Sequence, residues 1–322
     1  MLRIPLIAAV FTAALLAPGA TTAAEAPAVA WTVETVDSAN GANRANFSYA
    51  VDPGTNLTDT MRVTNTGTTA LDLAVYAADA YTTPVGNIDL HTTDQPSIDA
   101  GTWVTAETSQ LILQPGEQSD IDFTIAVPAD AAPGDHSAGL ITSFRSATDQ
   151  ATIDVDRRLG TRITVRVSGE LAPRVSVTEV QTTYRGSWNP FEPGAVVVSY
   201  RLTNAGNTLV TGTDATTAAG LGLFGASAEP IVLPEVIPGS TVDVVREIPV
   251  APWGWVSGSV VTEPEAIGIG AQGLAAVTHE YGVLAVPWTL LIVLAVIALI
   301  VVGMWTLRRR RRAASGSEGQ EV

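Results

Sequence analysis

Apolar and polar residues alternate strictly along much of this chain. Leu71, Leu73 and Val75 form one such set, and Ile121, Phe123, Ile125 and Val127 a second. Ile163, Val165 and Val167 form a third, and Val196, Val198, Tyr200 and Leu202 a fourth. A period of two places each set on one face of a β-strand and puts Asp122, Thr124, Thr164 and Arg166 on the other. Clusters of Gly, Pro, Asn and Thr punctuate the runs at the spacing of sandwich turns. Away from the two chain ends no stretch sustains helical periodicity.

Two segments repeat. MRVTNTGTTALDLAV (61–75), followed by LQPGEQSDIDFTIAVP (113–128), is echoed by SYRLTNAGNTLVTG (199–212) and EVIPGSTVDVVREIPV (235–250). Each copy has a strand ending in Thr-Asn-x-Gly, then a Pro-Gly turn, then a strand that ends at proline; Asn, Pro and Gly each suit tight turns. The expected fold is all-β, with two immunoglobulin-like β-sandwiches of related topology over 28–170 and 171–278. The boundary falls near Gly169–Pro173.

The two ends read differently. Arg3, an apolar stretch over 4–17, Pro18-Gly19 and a run of small residues have the anatomy of a secretory signal peptide, 1–24, cut after Ala24. Between Tyr281 and Leu307 no residue is charged, and Trp288 and Trp305 stand near the ends of the apolar run. Residues 284–307 are therefore expected to form a transmembrane helix. Arg308 to Arg312 follow, a positive block that favours the cytoplasm and opens a cytoplasmic basic tail, 308–322. No LPxTG-like motif precedes the run, so the expected anchor is the helix itself.

Charge narrows the partners. The 322 residues carry a net charge of −15 with no lysine, and the segment from Glu25 to Glu280 sets eleven arginines against thirty carboxylates, about −19. Such a surface repels nucleic acid. With no cysteine there is no disulfide, thiolate nucleophile or Cys-based zinc site. His91, His136 and His279 are scattered, and no GxSxG elbow occurs. Asp135, His136 and Ser137 are consecutive, and neighbours on a strand point to opposite faces, which is no triad geometry. Asp52, Asp59, Asp72, Asp79, Asp89, Asp94 and Asp99 lack the D-x-D-x-D-G spacing of a calcium loop and read as a solvated acidic face. No catalytic residue, cofactor or metal ligand is assigned. Trp103 reads as core. Trp253 and Trp255, two apart, would share a strand face. Trp188 lies in YRGSWNPFEPG with Tyr184 and Phe191 nearby, and these three are the candidate binding residues, either a surface for stacking on sugar rings or further core.

The stretch from Phe47 to Gly169 resembles the peptidoglycan-binding domain of WxL-interacting proteins. The likeness is carried by FSYAVDPGTNLTDTMRVTNTG, LILQPGEQSDIDFTIAVPADAAPGDHSAGLITS and RRLGTRITVRVSGE. That family comprises Gram-positive surface proteins with a signal peptide, two immunoglobulin-like domains, a C-terminal anchor and a basic tail. The second domain is similar to the family's partner-binding domain in position and turn pattern. Asp52-Pro53-Gly54, Pro115-Gly116 and Pro133-Gly134 match as turn formers, so no individual binding residue carries over. The resemblance implies a non-catalytic, single-pass cell-membrane protein with an extracellular ectodomain. Its partners would be peptidoglycan or another cell-wall glycan, and secreted surface proteins. Two alternatives stand beside it: an assembly or chaperone-like module offering an edge strand to secreted subunits, and a membrane-tethered wall enzyme.

Overall fold

The computed structural model describes residues 28–146, 155–189, 192–220, 224–252, 254–268 and 274–316. The expected signal peptide and the tail after Gly316 lie outside the described residues. The strands are β1 (Trp31–Thr35), β2 (Phe47–Val51), β3 (Asn56–Asn65), β4 (Leu71–Thr82), β5 (Ile88–Leu90), β6 (Val104–Ala106), β7 (Gln110–Leu113), β8 (Gln118–Ala126), β9 (Gly134–Ser146) and β10 (Val155–Val167). After a short linker come β11 (Val175–Arg185), β12 (Gly194–Asn204), β13 (Val210–Gly220), β14 (Phe224–Ser227), β15 (Ile231–Val236), β16 (Thr241–Val250), β17 (Gly254–Ala266) and β18 (Val277–Ala285). One helix, α1 (Trp288–Gly316), ends the described chain.

These strands build two sandwiches, as the alternation and the repeat predict. In the first, β1-β3-β8-β6 packs on β2-β10-β9-β4-β5, with β7 also on β4; in the second, β11-β12-β16 faces β14-β13-β17-β18, with β15 on β13. The central pairings correspond, and the first sandwich adds β2 beside β10 and β6 beside β8. β3 with β8 matches β12 with β16, β4 with β9 matches β13 with β17, and β9 with β10 matches β17 with β18. All four alternating sets of apolar residues are buried. In β8, Phe123 packs edge-on to Phe47 at 4.9 Å while Asp122 on the other face is exposed.

The repeated Thr-Asn-x-Gly is a clip. Asn65 and Asn204 are fully buried at the ends of their strands. Asn65 Nδ2 donates to the carbonyls of Thr69 and Leu113, and its Oδ1 accepts from Gly67 N–H. Asn204 does the same with Thr208, Val236 and Gly206. The Pro-Gly turn closes against the same residue, because Gly116 N–H donates to the Asn65 carbonyl and Gly239 N–H to that of Asn204. Both glycines sit at left-handed φ, +77° and +80°, where a side chain is disfavoured. Asparagine fits because one amide supplies both donors and an acceptor, satisfying carbonyls that the turns would otherwise bury unpaired.

Once the clips are aligned, the cores prove different. Met61 and Tyr200 each precede the clip asparagine by four residues, and Val75 and Asp214 each follow it by ten. Phe123 and Arg246 each lie seven residues after the Pro-Gly glycine. Apolar Met61, Val75 and Phe123 in the first sandwich are thus replaced by Tyr200, Asp214 and Arg246, which are equally buried. Tyr200 Oη donates to Asp214 Oδ2 at 2.6 Å, and Arg246 Nε pairs with Asp214 Oδ1 at 2.8 Å. Thr216 donates to the same Oδ1, and Arg246 also bonds the Glu229 carbonyl. Burial, and then the Asp214 carboxylate, push the Tyr200 hydroxyl pKa far up.

A polar junction locks the two sandwiches together. Arg166 on β10 grips Asp135 on β9 through two bonds of 2.6 Å and donates to the Ile267 carbonyl of the second domain. Asp135 in turn accepts from Leu209 N–H, and its own N–H donates to the Asn207 carbonyl. Thr82 donates to the Glu235 carbonyl and accepts from Ile237 N–H, while Arg162 pairs with Glu235 at 2.7 Å. Leu209 and Ile237 close with Ala80 over a small apolar patch. Gly134 lies so close to the Asn207 carbonyl that a Cβ there would sit 2.1 Å from its oxygen.

The last strand runs to Ala285, so the sheet takes Leu284 and Ala285, which the apolar run assigns to the membrane span. Tyr281, Val283 and Ala285 alternate inward, and their cross-strand pairing with β17 holds them extended. Pro287, which fits the first turn of a helix, precedes Trp288. The segment Trp288–Arg309 is long and apolar enough to cross a bilayer, and none of it is buried. The helix also continues through the arginines assigned to the tail.

Candidate functional site

Of the three candidate binding residues, the structure brings two together. β11 and β12 are joined by a loop in which Asn189 N–H donates to Ser187 Oγ, a local turn that throws Trp188 outward, 93% exposed. Trp188 is therefore surface and not core. Tyr184, at the end of β11, is half-buried, and burial raises its hydroxyl pKa against a weaker opposing bond to the Gly194 backbone. Both line a cleft of about 290 Å³ whose far wall is Pro287, Trp288 and Ile292 at the head of α1. Phe191 and Trp253 lie outside the described residues. Trp103 is buried in the first core.

His136 has a structural employment. Its ring lies 4.6 Å from Trp103, Nδ1 faces Asp99 at 2.7 Å and Nε2 faces the Ala132 carbonyl at 2.8 Å. Both neighbours are acceptors, so the doubly protonated imidazolium satisfies the site best. Burial opposes that charge, but the Asp99 bond, the Ala132 carbonyl and the field of Asp135 outweigh it and hold the pKa above its ordinary value. Ser137, one residue on, is buried, and its Oγ makes no hydrogen bond to His136.

The acidic residues are largely occupied. The buried Asp79 carboxylate accepts from the N–H groups of Ile98, Asp99 and Gly101 and pins the turn that precedes β6. Burial disfavours ionisation of Asp59, yet bonds from Arg44, Tyr49, the Thr60 N–H and Asn40 hold its pKa well below the carboxylate range. Asp52 and Asp72 bond Ser168 and Gln110. Among the described residues no group of three or more His, Asp or Glu is placed to share a metal ion.

One surface escaped the sequence reading. β10 is thirteen residues long and pairs along its whole inner edge with β9, but β2 covers its outer edge only from Ile163 to Val167. Over Val155–Arg162 no strand is paired with that edge among the described residues, although the chain entering β1 passes close enough for its Val29 carbonyl to accept from Arg157. Val155 and Leu159 are 48% and 39% exposed there, on the same face as Arg157. The signal in the sequence was the continuation of the third alternating set toward the N-terminus, through Val155, Arg157 and Leu159. The arginines of this strand form no free basic patch: Arg162 and Arg166 are committed to the junction, and Arg157 and Arg158 reach the carbonyls of Val29 and Leu90.

No family model matches the sequence, and no curated protein matches it. Similar solved structures include the class 5 fimbriae chaperone CfaA (10% identity, 78% of this chain and 98% of that one, TM-score 0.32). The YadV chaperone is another (12%, 79% and 98%, TM-score 0.34). A third is the CsuC–CsuE chaperone–tip adhesion subunit pre-assembly complex of Acinetobacter baumannii (13%, 67% and 89%, TM-score 0.32). The likeness is distant, and the strand pairings above stand without it.

Proposed function

We propose that this chain is a non-catalytic, membrane-anchored surface module that holds a secreted or surface-exposed protein segment by strand addition at the outer edge of β10. The observation that carries the reading is the half-capped strand. The N–H and C=O groups along Val155–Arg162 that β9 does not engage would supply the main-chain bonds of an added strand, the Leu159 carbonyl apart, which accepts from Thr142 Oγ1, and Val155 and Leu159 would give its apolar side-chain contacts. Edges of this kind are a hazard that proteins ordinarily blunt. The edge of β16, by contrast, carries Asp243, Glu247 and Pro249 on its exposed face. The amino-terminal leader, α1 and the arginines after Trp305 together support a single pass with both sandwiches outside the cell. The junction then holds the captured segment at a fixed attitude to the membrane.

Peptidoglycan binding, implied by the family resemblance, is the competing outcome. A photo-crosslinking residue at Leu159 in the full-length protein, in the producing cell, separates the two. Adducts with an exported protein are expected, lost with Val155→Asp and absent from the same probe at the exposed loop residue Ile98. Adducts with wall glycan alone, or none at Leu159, would overturn the proposal.

A further inference from the structure

The membrane-proximal end of the second sandwich carries an apolar rim. Trp188 projects from the β11–β12 loop at 93% exposure, and Trp255 and Leu284, at 56% and 59%, stand opposite each other on β17 and β18. Leu284 is four residues before Trp288, itself 68% exposed, where the helix begins. The loop is fastened to that helix, because Thr289 Oγ1 donates to the Ser187 carbonyl at 3.1 Å. The cleft between them is walled by Tyr184, Trp188, Pro252, Pro287, Trp288 and Ile292. From Trp288 to Trp305 the helix rises about 26 Å at 1.5 Å per residue, close to a hydrocarbon core of roughly 30 Å. Trp288 thus marks the level of the outer interface, and the bond to Ser187 brings the Trp188 loop to the helix's first turn.

We propose that this rim is a second membrane contact, with the indoles of Trp188 and Trp255 seated among the lipid headgroups around α1 and lipid filling the cleft. The inference rests on the reading of α1 as a membrane span, and the occupant follows from continuity with it. Tryptophan has an apolar ring and one N–H donor, the chemistry that favours the headgroup level. An ectodomain of about −19 charges has no electrostatic attraction to anionic lipid, so the contact is aromatic and insensitive to salt. A lone helix would leave the sandwiches free to tilt, whereas a rim around its base sets their angle to the bilayer.

The chain contains no cysteine, so single-cysteine labels are unambiguous. Full-length Trp188→Cys, Trp255→Cys, Trp288→Cys and Val85→Cys, each bearing an environment-sensitive fluorophore, are placed in phosphatidylcholine nanodiscs with a shallow spin-labelled lipid. Labels at 188, 255 and 288 should shift to the blue and lose intensity to the quencher, at low and high salt alike; the label at 85, on the first sandwich, should do neither. Quenching at 288 without quenching at 188 and 255 would overturn the rim while leaving the span in place. No quenching at 288 would instead sink the span. In detergent, soluble peptidoglycan fragments should leave the 188 spectrum unchanged; a blue shift on their addition would assign Trp188 to glycan and overturn the inference.

Discussion

The two sandwiches share a strand order and an asparagine clip, yet they fill the same three core positions with opposite chemistry. Met61, Val75 and Phe123 exclude water; Tyr200, Asp214 and Arg246 bury a carboxylate against a guanidinium. The first sandwich supplies nearly all of the largest fully buried side chains, among them Phe47, Phe123, Met61 and Leu73, against Ile248 from the second. Topology is therefore carried by the clip and the alternation, and the filling is free to vary. A buried ion pair contributes little net stability, because desolvation offsets the attraction, but it punishes removal of one partner.

The largest expected effects come from breaking either core singly. Phe123→Ala should cost about 3–5 kcal/mol, and Asp214→Ala, which strands a buried guanidinium, about 3–5 kcal/mol, both read by denaturant unfolding. Transplanting the apolar trio is more telling. Tyr200→Met, Asp214→Val and Arg246→Phe together should leave the second sandwich folded and anywhere from unchanged to about 4 kcal/mol more stable. A large loss would mean that the ionic trio specifies the fold. Gly134→Ala should cost more than about 1 kcal/mol, since its φ of +129° and the Asn207 oxygen both oppose a side chain. Its signature should be separate unfolding of the two sandwiches as the junction parts.

A smaller effect is pH-dependent. Folding raises the His136 pKa above its unfolded value near 6.5, so the stabilisation is fully present below that pH and fades as pH rises through the folded pKa. The stability gap between the parent chain and His136→Gln should accordingly be widest in mild acid and close in alkali. Smallest of all, Asp122→Ala on the exposed face should stay within about 0.5 kcal/mol.

Much of this was legible in the residues. Period-two alternation identified the buried faces, and the repeat foretold the clip because asparagine and Pro-Gly have local work to do in turns. The ionic core was present in the pattern as an aspartate ten residues after Asn204. Its partner Arg246 lies on another strand, and no local periodicity connects the two. Trp188 stood out by composition, but its place beside Trp288 depends on a contact across about a hundred residues of sequence. The half-capped edge escaped for a related reason. That β2 is short and β10 long can be read in sequence only if their parallel pairing is already known.

The central claim, an edge of β10 left open for a partner segment, is tested most directly by amide hydrogen exchange along that one strand. In the isolated full-length protein the outward amides of Val155–Arg162 should exchange quickly while Ile163–Val167 stay protected beneath β2; in native membranes with exported partners present, protection should rise over 155–162 alone. Uniform protection along β10 in the isolated protein, or no change over 155–162 in native membranes, would contradict the account.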